Sequence, residues 1–180
     1  QVVKRIVSDR RTQMIAGLIL LTFAIVATIA YISFLFTGTA DQSVITMDHA
    51  DKLQNRTEVR NLLGLPGAVL ADFMLNGSFG IVSILLALMI AIYGLRLMHV
   101  FEDIHAIKLF CGGVFWVVWG AVVLGFAQQM THVGSFLLGG AFGAWSAKWL
   151  VSYINIIGTV LLLLLTLIIF LIVTDPKFID

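Results

Sequence analysis

The sequence predicts an all-α integral membrane domain: four spanning helices in two parallel repeats, each repeat carrying a short amphipathic helix at the outer interface. Three observations lead there. The 180 residues are 60% hydrophobic and 12% charged, with a mean hydropathy of +1.04, against roughly 25% charged residues in a soluble domain. Four apolar runs are each long enough to cross a hydrocarbon core of about 30 Å, which takes about 20 helical residues. One pattern of small residues also occurs twice. A net charge of +1 supplies no broad basic field for nucleic acid.

The first span is expected at about 14–37, a stretch without a single charge. Lys4, Arg5, Arg10 and Arg11 precede it and Gly38-Thr39-Ala40 follows, which superficially resembles a signal-peptidase site. A signal h-region is only about 7–15 residues, so the run reads as a retained span. The chain starts at Gln1 rather than Met, and it is expected to be cut from something longer at both ends. After this span Asp41, Asp48, Asp51 and Glu58 mix with Lys52, Arg56 and Arg60 in a loop, Gly38 to Asn61, that reads as polar and exposed.

Next comes a short amphipathic helix at about 66–76. Pro66 suits a first helical turn, Gly77 suits a stop, and Val69, Leu70, Phe73 and Met74 recur at helical spacing. At about 16 Å it is too short to span and should lie in the outer interface. The second span follows at 79–98 and the third at 109–128. Gly113, Gly120, Ala121 and Gly125 line the third span with small residues. That allows close backbone approach, which replaces the hydrophobic drive missing in lipid, and it predicts a helix central to the bundle or to an oligomer contact. A second interfacial helix is expected at 140–153, where Trp145, Trp149 and Tyr153 form one stripe at headgroup level. The fourth span is 156–174.

The two short helices are copies. Gly67, Ala68, Ala71 and Asp72 register with Gly143, Ala144, Ala147 and Lys148 at a constant offset, Phe73 meets Trp149, and with a two-residue slip Gly80 matches Gly158. Each half is then span, interfacial helix, span, related to the other by an axis along the membrane normal. Four spans put both termini on one side. Lys4, Arg5, Arg10, Arg11, Arg96, Lys108 and Lys177 on that side outnumber Lys52, Arg56, Arg60 and Lys148 opposite, so both termini are expected to be cytoplasmic. Asp72 and Lys148 occupy equivalent positions with opposite charge, and a pair between them competes with each facing solvent or headgroups.

Chemistry is sparse. No phosphate loop, G-x-S-x-G, H-E-x-x-H or C-x-x-C occurs, so neither catalytic residues nor a cofactor or metal site is expected in this segment. The lone Cys111 allows no intrachain disulfide and reads as an apolar filler. His99 and His105 fall at the cytoplasmic ends of spans and His49 and His132 outside, which does not suit a haem held between two helices. Thr22, Thr28, Ser33, Ser83, Thr159 and Thr166 are expected to bond their own helix backbone. Ionisable groups are essentially confined to the edges of the spans. That lacks the usual mark of a transport pathway; a small oligomeric four-helix transporter or channel subunit, whose repeat would line a path on oligomerisation, is the alternative reading.

Two stretches carry a family resemblance. "LLGLPGAVLADFMLNGSFGIVSILLALMIAIYGLRLM" and "GGAFGAWSAKWLVSYINIIGTVLLLLLTLIIFLI" resemble the four-span N-terminal membrane domain of the FtsK/SpoIIIE DNA translocases. The carrying features are Leu-Gly-x-x-Gly-Ala-x-x-Ala at Leu63 to Ala71, Phe79-Gly80, Gly-Leu-Arg-Leu at Gly94 to Leu97, and the second Gly-Ala-x-x-Ala at Gly143 to Ala147. "LFTGTADQS", Leu35 to Ser43, is similar to members of the Bacteroidetes-type branch. The second copy departs from the first in carrying Lys148 where Asp72 stands.

The resemblance implies a membrane anchor in the bacterial inner membrane at the division septum. The anchored part would be a cytoplasmic hexameric ATPase, with ATP and Mg in a motor after Asp180, that pumps double-stranded DNA. Self-association and contacts with other divisome membrane proteins are implied as well. No catalytic residue carries over, because no position here matches a catalytic motif.

Overall fold

The computed structural model describes residues 9–101, 105–131 and 138–175; Lys4, Arg5, His132 and Lys177 lie outside them. Among the described residues the chain is all-α, with four helices long and apolar enough to cross a membrane. Helix α1 is Arg10–Ile45, N-capped by Asp9, whose carboxylate accepts the Arg11 N–H at 3.3 Å. It runs two turns past the expected end of the first span, so Gly38-Thr39-Ala40 lies inside unbroken helix. A short helix α2, His49–Gln54, and a 3₁₀ turn, Arg56–Glu58, lead to α3, Gly64–Asp72, which widens into a π turn, Phe73–Ser78. A 3₁₀ turn, Gly80–Ser83, opens α4, Ile84–Leu97. Helix α5 is Ala106–Thr131 and α6 is Gly140–Thr174.

Helix α6 is two helices in one. Asn155 has φ 60° and ψ 176°, outside helical space, so residues 140–154 form a short helix, α6a, and 156–174 a spanning helix, α6b. The Asn155 side chain caps the second piece by accepting the Ile156 N–H at 2.8 Å.

Small residues set the packing. The buried face of α1 reads Gly17, Ala24, Ala27, Ala30, Phe34, Gly38, Asp41, a helical stripe along its whole length. Lipid tails are as apolar as leucine, so close backbone contact rather than water exclusion holds such helices together. Gly17 and Gly94 mark the crossing of α1 and α4, where a Cβ on either would strike the other's carbonyl. The core gathers Ala27, Ala30, Tyr31 and Phe34 of α1 with Ala68, Ala71, Met74, Leu75 and Ala87.

Helix α3 buries Gly67, Ala68 and Ala71, followed by Met74 and Leu75, while Val69 and Phe73 are exposed. The face that meets the protein is thus the small-residue one together with Met74, while Val69 and Phe73 of the apolar set point outward. Gly77 does not stop the helix either; the chain continues through it to Ser78. The π turn shifts the ladder to i→i+5. Two hydroxyls exploit this: Ser78 at 2.9 Å and Ser83 both donate to the Met74 carbonyl.

Candidate functional site

No cluster of three or more His, Cys, Asp or Glu forms among the described residues, and the candidate site is the set of non-spanning elements on the side opposite the termini. Its first part pins the segment 60–63 to α1. This stretch has no ladder partner, so its backbone groups must find side chains. The Arg60 N–H donates to Asp41 Oδ1 at 2.6 Å and the Leu62 N–H to Ser33 Oγ at 3.0 Å. Asn61 Nδ2 donates to the Ala30 carbonyl at 2.9 Å, while its Oδ1 accepts the Leu63 N–H at 3.1 Å. Thr37 Oγ1 donates to Asp41 Oδ2 at 2.6 Å.

Asp41 is 0% exposed and Asn61 4%. Burying a carboxylate is costly unless it is hydrogen-bonded, and here both oxygens are engaged. The sequence reading placed Asp41 in an exposed loop; it belongs to the last turns of α1. The signal was available in its phase, one step beyond Phe34 and Gly38 on the buried stripe. Ser33 and Ser83 likewise depart from self-satisfaction. Ser33 accepts from Leu62, and Ser83 donates to Met74 in another element. Thr22, Thr28, Thr159 and Thr166 do bond the preceding turn of their own helix.

The second half repeats the arrangement. Gly64 and Gly140 open α3 and α6a with the same φ of +64°, a left-handed conformation that glycine adopts at no steric cost. The Leu138 N–H, equivalent to that of Leu62, donates to Gln128 Oε1 of α5 at 2.8 Å. Where the short helix gives way to the next span, the two copies again use positive φ, at Gly80 (+71°) and at Asn155 (60°). The structural counterpart of Gly80 is therefore Asn155, and Gly158, its expected match, sits inside α6b against Ile154.

Backbone joins the two halves. A Cβ on Gly80 would strike Leu138 O and Gly140 N, and one on Gly140 would strike Ser78 O and Gly80 N. The Ile81 N–H donates to the Leu138 carbonyl at 2.9 Å, and the Tyr31 hydroxyl donates to the Ile81 carbonyl at 2.9 Å. Phe79 and Phe142 pack over the joint with ring centroids 5.1 Å apart. A hydrogen-bonded path thus runs from α1 through Ile81 and Leu138 to Gln128 on α5.

The sequence-selected residues divide into those the fold brings together and those it does not. Gly67 and Ala71 are buried on α3, and Gly143 and Ala147 on α6a. Gly125 meets the Gly143 backbone, Gly113 lies under Met89 and Gly120 under Val82, which makes α5 the helix between α4 and α6. Asp72 accepts from Asn76 Nδ2 at 2.8 Å, Lys148 is exposed, and no ion pair joins these two among the described residues. Trp145 and Trp149 are exposed on α6a, and Trp149 packs on Tyr153 at 4.8 Å. His99 lies against Gln13 of α1 at 3.2 Å, and no group of three or more His, Cys, Asp or Glu assembles among the described residues.

Residues 9–177 match the model of one protein family, described as the 4TM region of DNA translocase FtsK/SpoIIIE. No curated protein and no solved structure matches the chain.

Proposed function

The chain belongs to the FtsK/SpoIIIE family through its four-span membrane region, and from that premise we propose that it anchors an ATP-driven double-stranded DNA pump at the division septum of the bacterial inner membrane. The termini lie in the cytoplasm, where a motor using ATP and Mg, six copies to a ring, follows the last span. The segment itself is a holder, not an enzyme. It resists the reaction force on DNA, and its opposite side, from α2 to α6a, presents a surface to other divisome membrane proteins.

The family match over nearly the whole chain carries this reading. The joint at Gly80 and Gly140 supports it, since a holder under load needs its halves fixed by backbone. The test is the natively expressed protein with a fluorescent tag before Gln1. It should form a band at the septum, and an antibody to residues 1–11 should detect a species several-fold heavier than 19.7 kDa. Uniform envelope fluorescence would overturn the septal role, and a species near that mass would overturn the motor.

A further inference from the structure

We infer that the groove between the two halves, bounded by α4 and α5, binds one anionic glycerophospholipid, its phosphate at Lys108 and one acyl chain over Gly112, along the seam of α4 and α5. The groove encloses about 630 Å³ and is lined by Leu88 and Ile92 of α4 and by Lys108, Gly112, Trp116 and Gly120 of α5, among others. Every lining group but Lys108 is apolar or glycine.

Three features point to this occupant. The first is length: at about 1.5 Å per residue the floor from Lys108 to Gly120 runs about 18 Å, just over half of a hydrocarbon core of about 30 Å. That is one leaflet, from headgroup to midplane. The second is the floor itself, since a Cβ on Gly112 would find nothing within 4 Å. No atom of the described residues fills the space over it. In a bilayer the neighbour that can fill it is a chain.

The third is charge. Lys108 is exposed, lies in the first turn of α5 and forms no ion pair among the described residues. A cation there faces the positive end of the helix dipole, which disfavours it and favours an anion. A phosphate diester settles both, and the lysine stem can lie along the apolar wall while its ammonium reaches the headgroup. A soluble phosphate would leave the groove empty; a phospholipid fills both ends.

Native mass spectrometry of the full chain in mild detergent, with phosphatidylglycerol or phosphatidylcholine added, tests this. The wild type should retain one phosphatidylglycerol in preference to phosphatidylcholine. Lys108→Gln should lower that occupancy about fivefold, the weight of one basic residue at an anionic surface. Gly112→Leu puts bulk into open space and should abolish retention with an unchanged melting temperature. Equal retention by the wild type and either folded variant would overturn the assignment, as would equal retention of the two lipids. Should Gly112→Leu fail to fold, Lys108→Gln decides alone.

Discussion

Asp41 shows how one residue can organise a segment. Its two oxygens hold the Arg60 N–H and the Thr37 hydroxyl; Asp41→Ala leaves the Arg60 N–H without its acceptor, at about 1–3 kcal/mol, while the Thr37 hydroxyl keeps the Ser33 carbonyl of its own helix at 3.2 Å. Asp41→Asn keeps one acceptor and should cost less. Melting in detergent followed by tryptophan fluorescence should rank wild type above Asn and Asn above Ala, with proteolysis at 46–63 rising in the same order. An Ala variant as stable as the wild type would show that the segment is held by other contacts. Composition hid this residue. A charged residue flanked by polar neighbours reads as loop, and only its position on the stripe of α1 reveals burial. The serines were hidden for a related reason: a hydroxyl can always reach its own helix, and which of them reaches farther depends on an approaching backbone that one helix does not encode.

At the scale of elements, helix existence was legible because length and apolarity decide it, whereas junctions were less so. The small-residue repeat at Gly67 and Gly143 was visible as sequence, and it coincides with matched backbone at Gly64 and Gly140. The partner of Gly80 was not visible, because an asparagine does there what glycine does in the other half. Asn155 sits in a region that glycine alone favours, so Asn155→Gly should raise stability by about 1 kcal/mol, less a few tenths for the lost cap. Asn155→Val should lower the melting temperature. If Gly lowers it too, the cap outweighs the strain. Gly80→Ala meets both positive φ and the backbone of Leu138 and Gly140; it should fail to give a monodisperse species by size exclusion. Gly112→Ala, in open space, should behave as wild type or slightly better, as expected for alanine in a helix.

The whole molecule is two similar halves, each of them a span, a short helix and a span. With Cys111 replaced by Ser, a cysteine at exposed Ala50 should react with an impermeant maleimide in intact spheroplasts. One at exposed Asp9 should react only after permeabilisation. The reverse pattern would invert the orientation drawn from the lysines and arginines. The four spans follow from length and apolarity, and the orientation is what the count of lysines and arginines leads one to expect. How the halves meet follows from neither, because a contact made by main-chain atoms leaves little trace in side-chain chemistry beyond the glycines it requires.

Those glycines have a mechanical consequence. The pin between the halves is peptide against peptide, close to one end of helices that reach about 27 Å away from it, taking 18 residues at about 1.5 Å each. A sideways pull at the Thr174 end of α6b therefore arrives at the pin as torque with a long arm. Peptide groups locked by hydrogen bonds resist sliding, while the apolar gap along α4 and α5 yields to spreading. Sliding one half along the other breaks the hydrogen bond from Ile81 to Leu138, whereas parting them at the far end separates apolar contacts such as Met89 on Gly113, as opening a pair of tongs does.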